Sequence, residues 1–167
     1  NWVDTIPHGL PASLCRFNPH GGDYLAFLGR ICRDKRPDRA IEIAKRTGIP
    51  LKMAAKVDPA DTDYFEQIIR PMLDHPLIEF IGEIDDQQKG AFLGNARALL
   101  FPIDWPEPFG LVMIEAMSAR TPVLAWRAGS VPEIITEGVS GFMVCSVDEG
   151  VAAVEKSLTL DRALVRQ

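Results

Sequence analysis

The chain has 167 residues, a length that suits one domain, with 47% hydrophobic residues, 25% charged residues and a formal net charge of -5. That composition excludes wholesale disorder and fibrous repeats. The acidic balance argues against nucleic acid or an anionic membrane as the main partner, because phosphate backbones select clustered positive charge. The three cysteines, Cys15, Cys32 and Cys145, lie far apart, with no Cys-x-x-Cys pair and no Cys/His metal spacing. They read as reduced thiols of a cytoplasmic protein without a metal site. No apolar run approaches the ~20 residues of a membrane span, and no basic stretch with an apolar core opens the chain as a secretory signal would.

Residues 1–22 carry Pro7, Gly9, Pro11, Pro19, Gly21 and Gly22 without helical periodicity. They are expected to be a hinge or linker arriving from a preceding domain, with the folded domain over 23–167. From Tyr24 onward, short apolar runs alternate with amphipathic ones. The apolar runs are Tyr24–Leu28, Leu51–Ala55, Ile78–Ile81, Ala98–Phe101, Val123–Trp126 and Gly141–Val144. Their length and near-continuous apolarity predict strands buried on both faces. Helical patterns fall over 36–46, 61–73, 85–96, 109–119, 131–137 and 147–160. Such alternation predicts a Rossmann-like, doubly wound parallel sheet of about six strands in three α/β/α layers. Gly48 with Pro50, Asp58-Pro59 and His75-Pro76 are the breaks that separate these elements.

In an open α/β sheet, ligands bind outside the carboxyl ends of the strands, and three loops there are chemically unusual. After the first strand, Gly29 is followed by five cations (Arg30, Arg33, Lys35, Arg36, Arg39) and only two anions (Asp34, Asp38). Lys35 and Arg36 sit at a helix N-terminus, where the macrodipole disfavours cations by ~0.3–1 kcal/mol. Two readings are open: an anion such as a diphosphate bound between these cations and the free N–H groups, or a solvated basic turn neutralised by Asp34 and Asp38. The lone Gly29 also lacks the further glycines of a dinucleotide-binding turn, which argues against NAD.

The second loop, Pro106-Glu107-Pro108-Phe109-Gly110-Leu111, is stiffened by two prolines and predicts a helix beginning near Phe109. The N–H groups of Phe109, Gly110 and Leu111 then lack intrahelical partners and can donate to sugar hydroxyls or phosphate oxygens. Glu115 lies inside this apolar helix and needs a partner, because an unpaired buried charge costs several kcal/mol. A ribose diol or Arg30 would supply one. The third loop, Gly129-Ser130-Val131-Pro132-Glu133, has the pattern of a capping box, with Ser130 as N-cap and Glu133 three residues on. Gly129 in addition allows a ligand to approach the backbone. Asp85 and Asp86 are expected to begin a helix, and Trp105 either shields the site or anchors its loop. His8, His20 and His75 belong to no recognisable catalytic arrangement.

Taken together, these segments resemble the retaining, nucleotide-sugar-dependent glycosyltransferases of family 4, the group 1 transferases. Phe27-Leu28-Gly29-Arg30 with Lys35 is similar to the family's diphosphate clamp. Phe80-Ile81-Gly82-Glu83-Ile84 is similar to its segment beside the nucleobase. Glu107 to Glu115 is similar to its paired-glutamate signature, and Gly129-Ser130-Val131-Pro132-Glu133 to its Gly-Gly turn, with Ser130 in place of the second glycine. Ile6-Pro7-His8-Gly9 is similar to the interdomain hinge, with His8 in place of asparagine.

The resemblance implies one half of a two-domain GT-B enzyme, whose acceptor-binding N-terminal domain is absent from this sequence. It implies a nucleotide-diphospho-sugar donor as ligand, no metal or other cofactor, and no membrane contact through this domain. Arg30 and Lys35 would hold the diphosphate, and Glu107 with Phe109, Gly110 and Leu111 would orient the sugar. Glu115 would hold the ribose. Gly29, Gly129 and Ser130 would line the donor, and Ile84 and Lys89 would contact the base. A nucleotide-sugar epimerase of related fold and a non-catalytic nucleotide-binding module are the competing readings.

Overall fold

The structure, a computed structural model, describes residues 8–10 and 21–166. The linker expected over 1–22, including Cys15, therefore lies largely outside the described residues. Six parallel strands form one sheet: β1 Tyr24–Arg30, β2 Leu51–Lys56, β3 Ile78–Gly82, β4 Ala96–Phe101, β5 Val123–Trp126 and β6 Gly141–Val144. Their order is β3-β2-β1-β4-β5-β6, the doubly wound arrangement expected. The chain starts at the centre, winds out through β2 and β3, then returns to lay β4 on the other side of β1. That reversal is a topological switch point, and the crossover loops there diverge to leave a crevice.

The connecting helices are α1 Pro37–Thr47, α2 Thr62–Tyr64, α3 Arg70–Leu73, α4 Asp86–Gly94, α5 Leu111–Ser118 and α6 Val131–Ile134; α7 Val147–Ser157 and α8 Arg162–Val165 follow β6. Right-handed crossovers put α1 to α3 on one face and α4 to α6 on the other. The helix α7 returns to pack on α1, so closely that a Cβ at Gly150 would lie 2.7 Å from Ile43 Cδ1. Leu25, Ala26, Leu99, Val123 and Leu124 are fully buried between the two helical layers.

Several boundaries differ from the sequence expectation, each for a local reason. Strand β1 runs two residues past its apolar run, because Gly29 and Arg30 stay in register with Ala55 and Lys56 of β2; both are strand residues, not loop. Strand β3 is not buried on both faces but alternates half-buried and exposed residues, as an edge strand does. The helix expected over 61–73 is broken by a π-helical turn at Phe65–Ile69. Pro71 lacks the N–H for a regular helical bond and crowds the carbonyl four residues back, which the wider turn accommodates. Arg36 (φ 48) delays α1 to Pro37, and Gly110 (φ 77) delays α5 to Leu111. The helix expected over 131–137 is a single turn. Asp85 caps α4 as expected, in a full capping box with Gln88.

Tyr24 anchors β1 to α4, donating its hydroxyl to the Phe92 carbonyl at 2.6 Å. Burial, with Asp23 and Glu79 nearby, pushes its pKa from 10.0 up to about 12. A raised folded-state pKa means the stabilisation is complete below the unfolded value and is lost as pH rises through the folded one. The melting temperature of the wild type should therefore fall more steeply between pH 10 and 12 than that of Tyr24→Phe. Parallel curves would show that Tyr24 ionises normally.

Candidate functional site

At the carboxyl ends of β1 and β4, two cavities open side by side. The first, of about 380 Å³, is lined by His8, Phe27, Leu28, Gly29, Lys35, Phe101 and the run Glu107 to Val112. The second, of about 240 Å³, is lined by Leu28, Gly29, Ala54, Ala55, Lys56, Glu83, Ile84, Lys89, Val112 and Glu115. They share Leu28, Gly29 and Val112, so one elongated ligand can occupy both. Gly29, with nothing within 4 Å of where its Cβ would be, leaves the passage between them open.

The five cations after β1 are engaged within the protein, four by carboxylates and Arg33 by an aromatic face. Arg36 donates to Asp38 at 2.7 Å and to Asp104 at 2.8 Å. Arg39 reaches Asp104 at 3.2 Å and the carbonyls of Pro102 and Ile103. Arg33 lies over the Tyr64 ring, and Arg30, half exposed, pairs with Asp58 at 3.4 Å and Asp61 at 3.6 Å. Of the two anions expected to neutralise this turn, Asp38 does so, for Arg36 alone; Arg30 and Arg39 draw on Asp58, Asp61 and Asp104 from outside it. Asp34 contributes its carbonyl instead, accepting from Asp104 N–H at 2.7 Å.

Lys35 is the cation that lines the first cavity, and it forms an ion pair with Glu107. Both side chains are largely buried, 24% and 12% exposed, so each charge depends on the other. The same carboxylate oxygen accepts the Trp105 indole N–H at 2.9 Å. The Lys35 ammonium also sits 5.2 Å above the Trp105 ring and 5.6 Å from that of Phe101.

Glu107 is held by its own loop. The first intrahelical bond of α5 runs from Met113 N–H to Gly110 C=O, so the N–H groups of Leu111 and Val112, residues that line the cavities, precede it. Phe109 meets the His8 ring edge-on at 4.6 Å, which brings the segment 8–10 to the site.

Gly129 and Ser130 line neither cavity and act from behind the loop. The Ser130 N–H donates to Glu107 C=O at 2.9 Å, and its hydroxyl to Phe109 C=O at 2.8 Å. The expected capping box is not formed: the Ser130 side chain makes no cap hydrogen bond and its backbone is helical. The tertiary acceptor on Phe109 has taken the hydroxyl. At Gly129 (φ 55) a Cβ would fall 2.3 Å from the Glu107 carbonyl oxygen, so only glycine lets the third loop lie flat on the second.

In the second cavity, Glu115 faces Lys89 at 3.5 Å, not Arg30 as the sequence had allowed. Lys89 also reaches Asp86 at 2.9 Å. The Asp86 hydrogen bond first, with the Glu115 charge, raises the Lys89 pKa above the ordinary value against the opposing effect of burial. Ile84 and Glu83 complete this wall. Sequence reasoning missed the Lys89–Glu115 pair and the bracing by Asp104, both contacts between elements far apart in the chain. Among the described residues no group of three or more His, Cys, Asp or Glu converges as metal ligands would, and no helix is long and apolar enough to cross a membrane.

These features define an open α/β domain with an elongated, charge-lined cleft at its switch point. Residues 16–164 match the family described as glycosyl transferases group 1, and the chain belongs to that family. The fold is shared with AviGT4, a glycosyltransferase involved in avilamycin A biosynthesis, at 26% identity over 96% of this chain and 50% of that one, TM-score 0.80. The C-terminal domain of a group 1 glycosyl transferase from Francisella tularensis superposes as a whole, at 23% identity over 95% of this chain and 93% of that one, TM-score 0.75. An Anabaena protein crystallised with UDP and glucose has the same fold, at 20% identity over 87% of this chain and 43% of that one, TM-score 0.76. The chain spans about a third of the length of the curated relatives it matches.

The loop stacking is open to direct test. Gly129→Ala should cost ~1–3 kcal/mol from the left-handed backbone alone, plus the clash with Glu107. Ser130→Ala should cost ~1 kcal/mol for its hydrogen bond. Denaturant melts that show Gly129→Ala as benign would mean the two loops do not touch.

Proposed function

We propose that the chain binds a nucleoside diphosphate-sugar across the two cavities. It would be the donor-binding domain of a retaining, metal-independent glycosyltransferase whose acceptor-binding domain lies outside this sequence. The observation that carries the proposal is the pair of cavities meeting at Gly29, one bearing Lys35–Glu107 and the other Glu115–Lys89. The Anabaena neighbour crystallised with UDP and glucose supports the ligand class. The paired-glutamate resemblance supports retention.

In this reading the diphosphate lies over Gly29, where the N-terminal N–H groups of α5 and Lys35 meet it. As the sugar leaves, negative charge builds on the diphosphate. Lys35 stabilises it, and Arg30 joins by turning from Asp58 and Asp61 at the end of β1. Fixed cations near developing charge lower the barrier without a metal ion. Glu107, with the backbone of Phe109, Gly110 and Leu111, orients the sugar in the first cavity. Glu115 receives the ribose hydroxyls, and the base rests beside Ile84 and Lys89 in the second. Gly129 and Ser130 serve the donor by fixing the Glu107 loop. A cytoplasmic setting belongs to the same proposal, in keeping with the described cysteines, Cys32 and Cys145, both free thiols.

A thermal-shift panel of UDP-, GDP- and ADP-sugars in EDTA tests the whole reading. A bound donor at 100 times its Kd should add ~2.7 kcal/mol of stability. Stabilisation that requires a divalent ion would overturn metal independence. Glu115→Gln should weaken ribonucleotide binding more than binding of the 2′-deoxy analogue, which has already lost one contact. Equal losses for both nucleotides would remove Glu115 from the ribose.

A further inference from the structure

The Lys35–Glu107 pair poses a difficulty for donor binding. A diphosphate that draws Lys35 onto its oxygens removes the counter-charge from a carboxylate that is only 12% exposed. Glu107 then needs a second donor, or it swings toward solvent and no longer faces the sugar. Trp105 is placed to be that donor. Its indole N–H meets the same Glu107 oxygen at 2.9 Å, while its ring face lies 5.2 Å from the Lys35 ammonium.

The placement of Trp105 is itself rigid. The neighbouring Asp104 N–H is bonded to the Asp34 carbonyl at 2.7 Å, tying the Trp105 segment to the turn that carries Lys35. The Asp104 carboxylate is gripped by Arg36 and Arg39. One further bond, from Glu107 N–H to the Trp105 carbonyl at 2.9 Å, closes a tight turn between the two residues. An indole N–H is a neutral donor, with no net charge for a phosphate to attract, unlike an ammonium.

We infer that Trp105 is a positioning residue for sugar recognition: its indole N–H holds the Glu107 carboxylate in place when Lys35 turns to the donor diphosphate. The inference rests on the donor-site reading above. It assigns Trp105 to the sugar end of the ligand alone. The nucleoside diphosphate, held by Lys35 and the start of α5, should be indifferent to the indole N–H.

The test compares the wild-type chain with Trp105→Phe, which keeps an aromatic ring on the loop and removes the N–H donor together with the fused five-membered ring. UDP, GDP and their sugars are titrated calorimetrically, and melts establish that the variant is folded. Losing a hydrogen bond to a charged group should weaken nucleotide-sugar affinity on the order of tenfold, with affinity for the free diphosphate unchanged. Equal losses for both ligands, or none for the sugar, would overturn the positioning role. Glu107→Gln supplies a ligand-free readout: the Trp105 indole N–H resonance, identified by its absence in Trp105→Phe, should move upfield when its charged acceptor becomes a neutral amide. A resonance in the same place in both proteins would refute the contact itself. Failure of the wild type to bind any of the nucleotides would instead sink the donor-site reading, and this inference with it.

Discussion

Lys35 and Glu107 sit on crossover loops that leave the sheet from neighbouring strands, β1 and β4, at the point where the winding reverses. Their ion pair joins the two loops across the crevice the topology opens. A largely buried pair of this kind is costly to break from either side, by about 3–5 kcal/mol, and contributes less to folding than to fixing where the loops stand. Much of the surrounding structure serves that purpose. Asp104 is tied to the Lys35 turn through Asp34, Arg36 and Arg39, while Gly129 and Ser130 support the Glu107 loop from beneath. The site is therefore a set of three loops braced on one another, with the open volume left on the solvent side.

The division of charge shows how a chain that is acidic overall could, as proposed, take a diphosphate. Five cations follow β1, but Arg30, Arg33, Arg36 and Arg39 are engaged by carboxylates or by an aromatic face. Lys35 is the one aimed into the first cavity. In the proposed donor site a ligand phosphate would compete with Glu107 for a single ammonium, so binding would be an exchange of partners and not the filling of an empty cationic bowl. In the second cavity Lys89 and Glu115 repeat the arrangement at a looser 3.5 Å. An exposed or loosely held pair exchanges partners at little cost.

Much of this was legible in the sequence because it is local. Short apolar runs such as Val123–Trp126 identified the buried strands, and the β-α alternation identified the doubly wound sheet. Glycine and proline punctuation placed Glu107 and Glu115 at a strand-to-helix crossing. The expectations that failed did so where a tertiary contact outweighed a local preference. Ser130 and Glu133 have the spacing of a capping box, yet the Ser130 hydroxyl finds the Phe109 carbonyl instead. For Glu115 the sequence offered a ribose or Arg30 and not Lys89, because nothing local reveals that α4 brings Lys89 alongside α5. The role of Trp105 was left between a shield and an anchor, since the direction of an indole N–H depends on a loop geometry that sequence does not encode in any short pattern. β3 read as fully buried because three apolar residues around Glu79 do not reveal that the strand lies at the edge.

The central claim is that ligand binding transfers Lys35 from Glu107 to a diphosphate while Glu107 stays where it is. A crystal structure of the chain with a nucleoside diphosphate-sugar tests this most directly. The account predicts the phosphates over Gly29 with Lys35 on their oxygens, the sugar against Glu107, and the Trp105 indole N–H still bonded to that carboxylate. A ligand bound elsewhere, or one seated in the cavities with the Lys35–Glu107 pair intact, would contradict it.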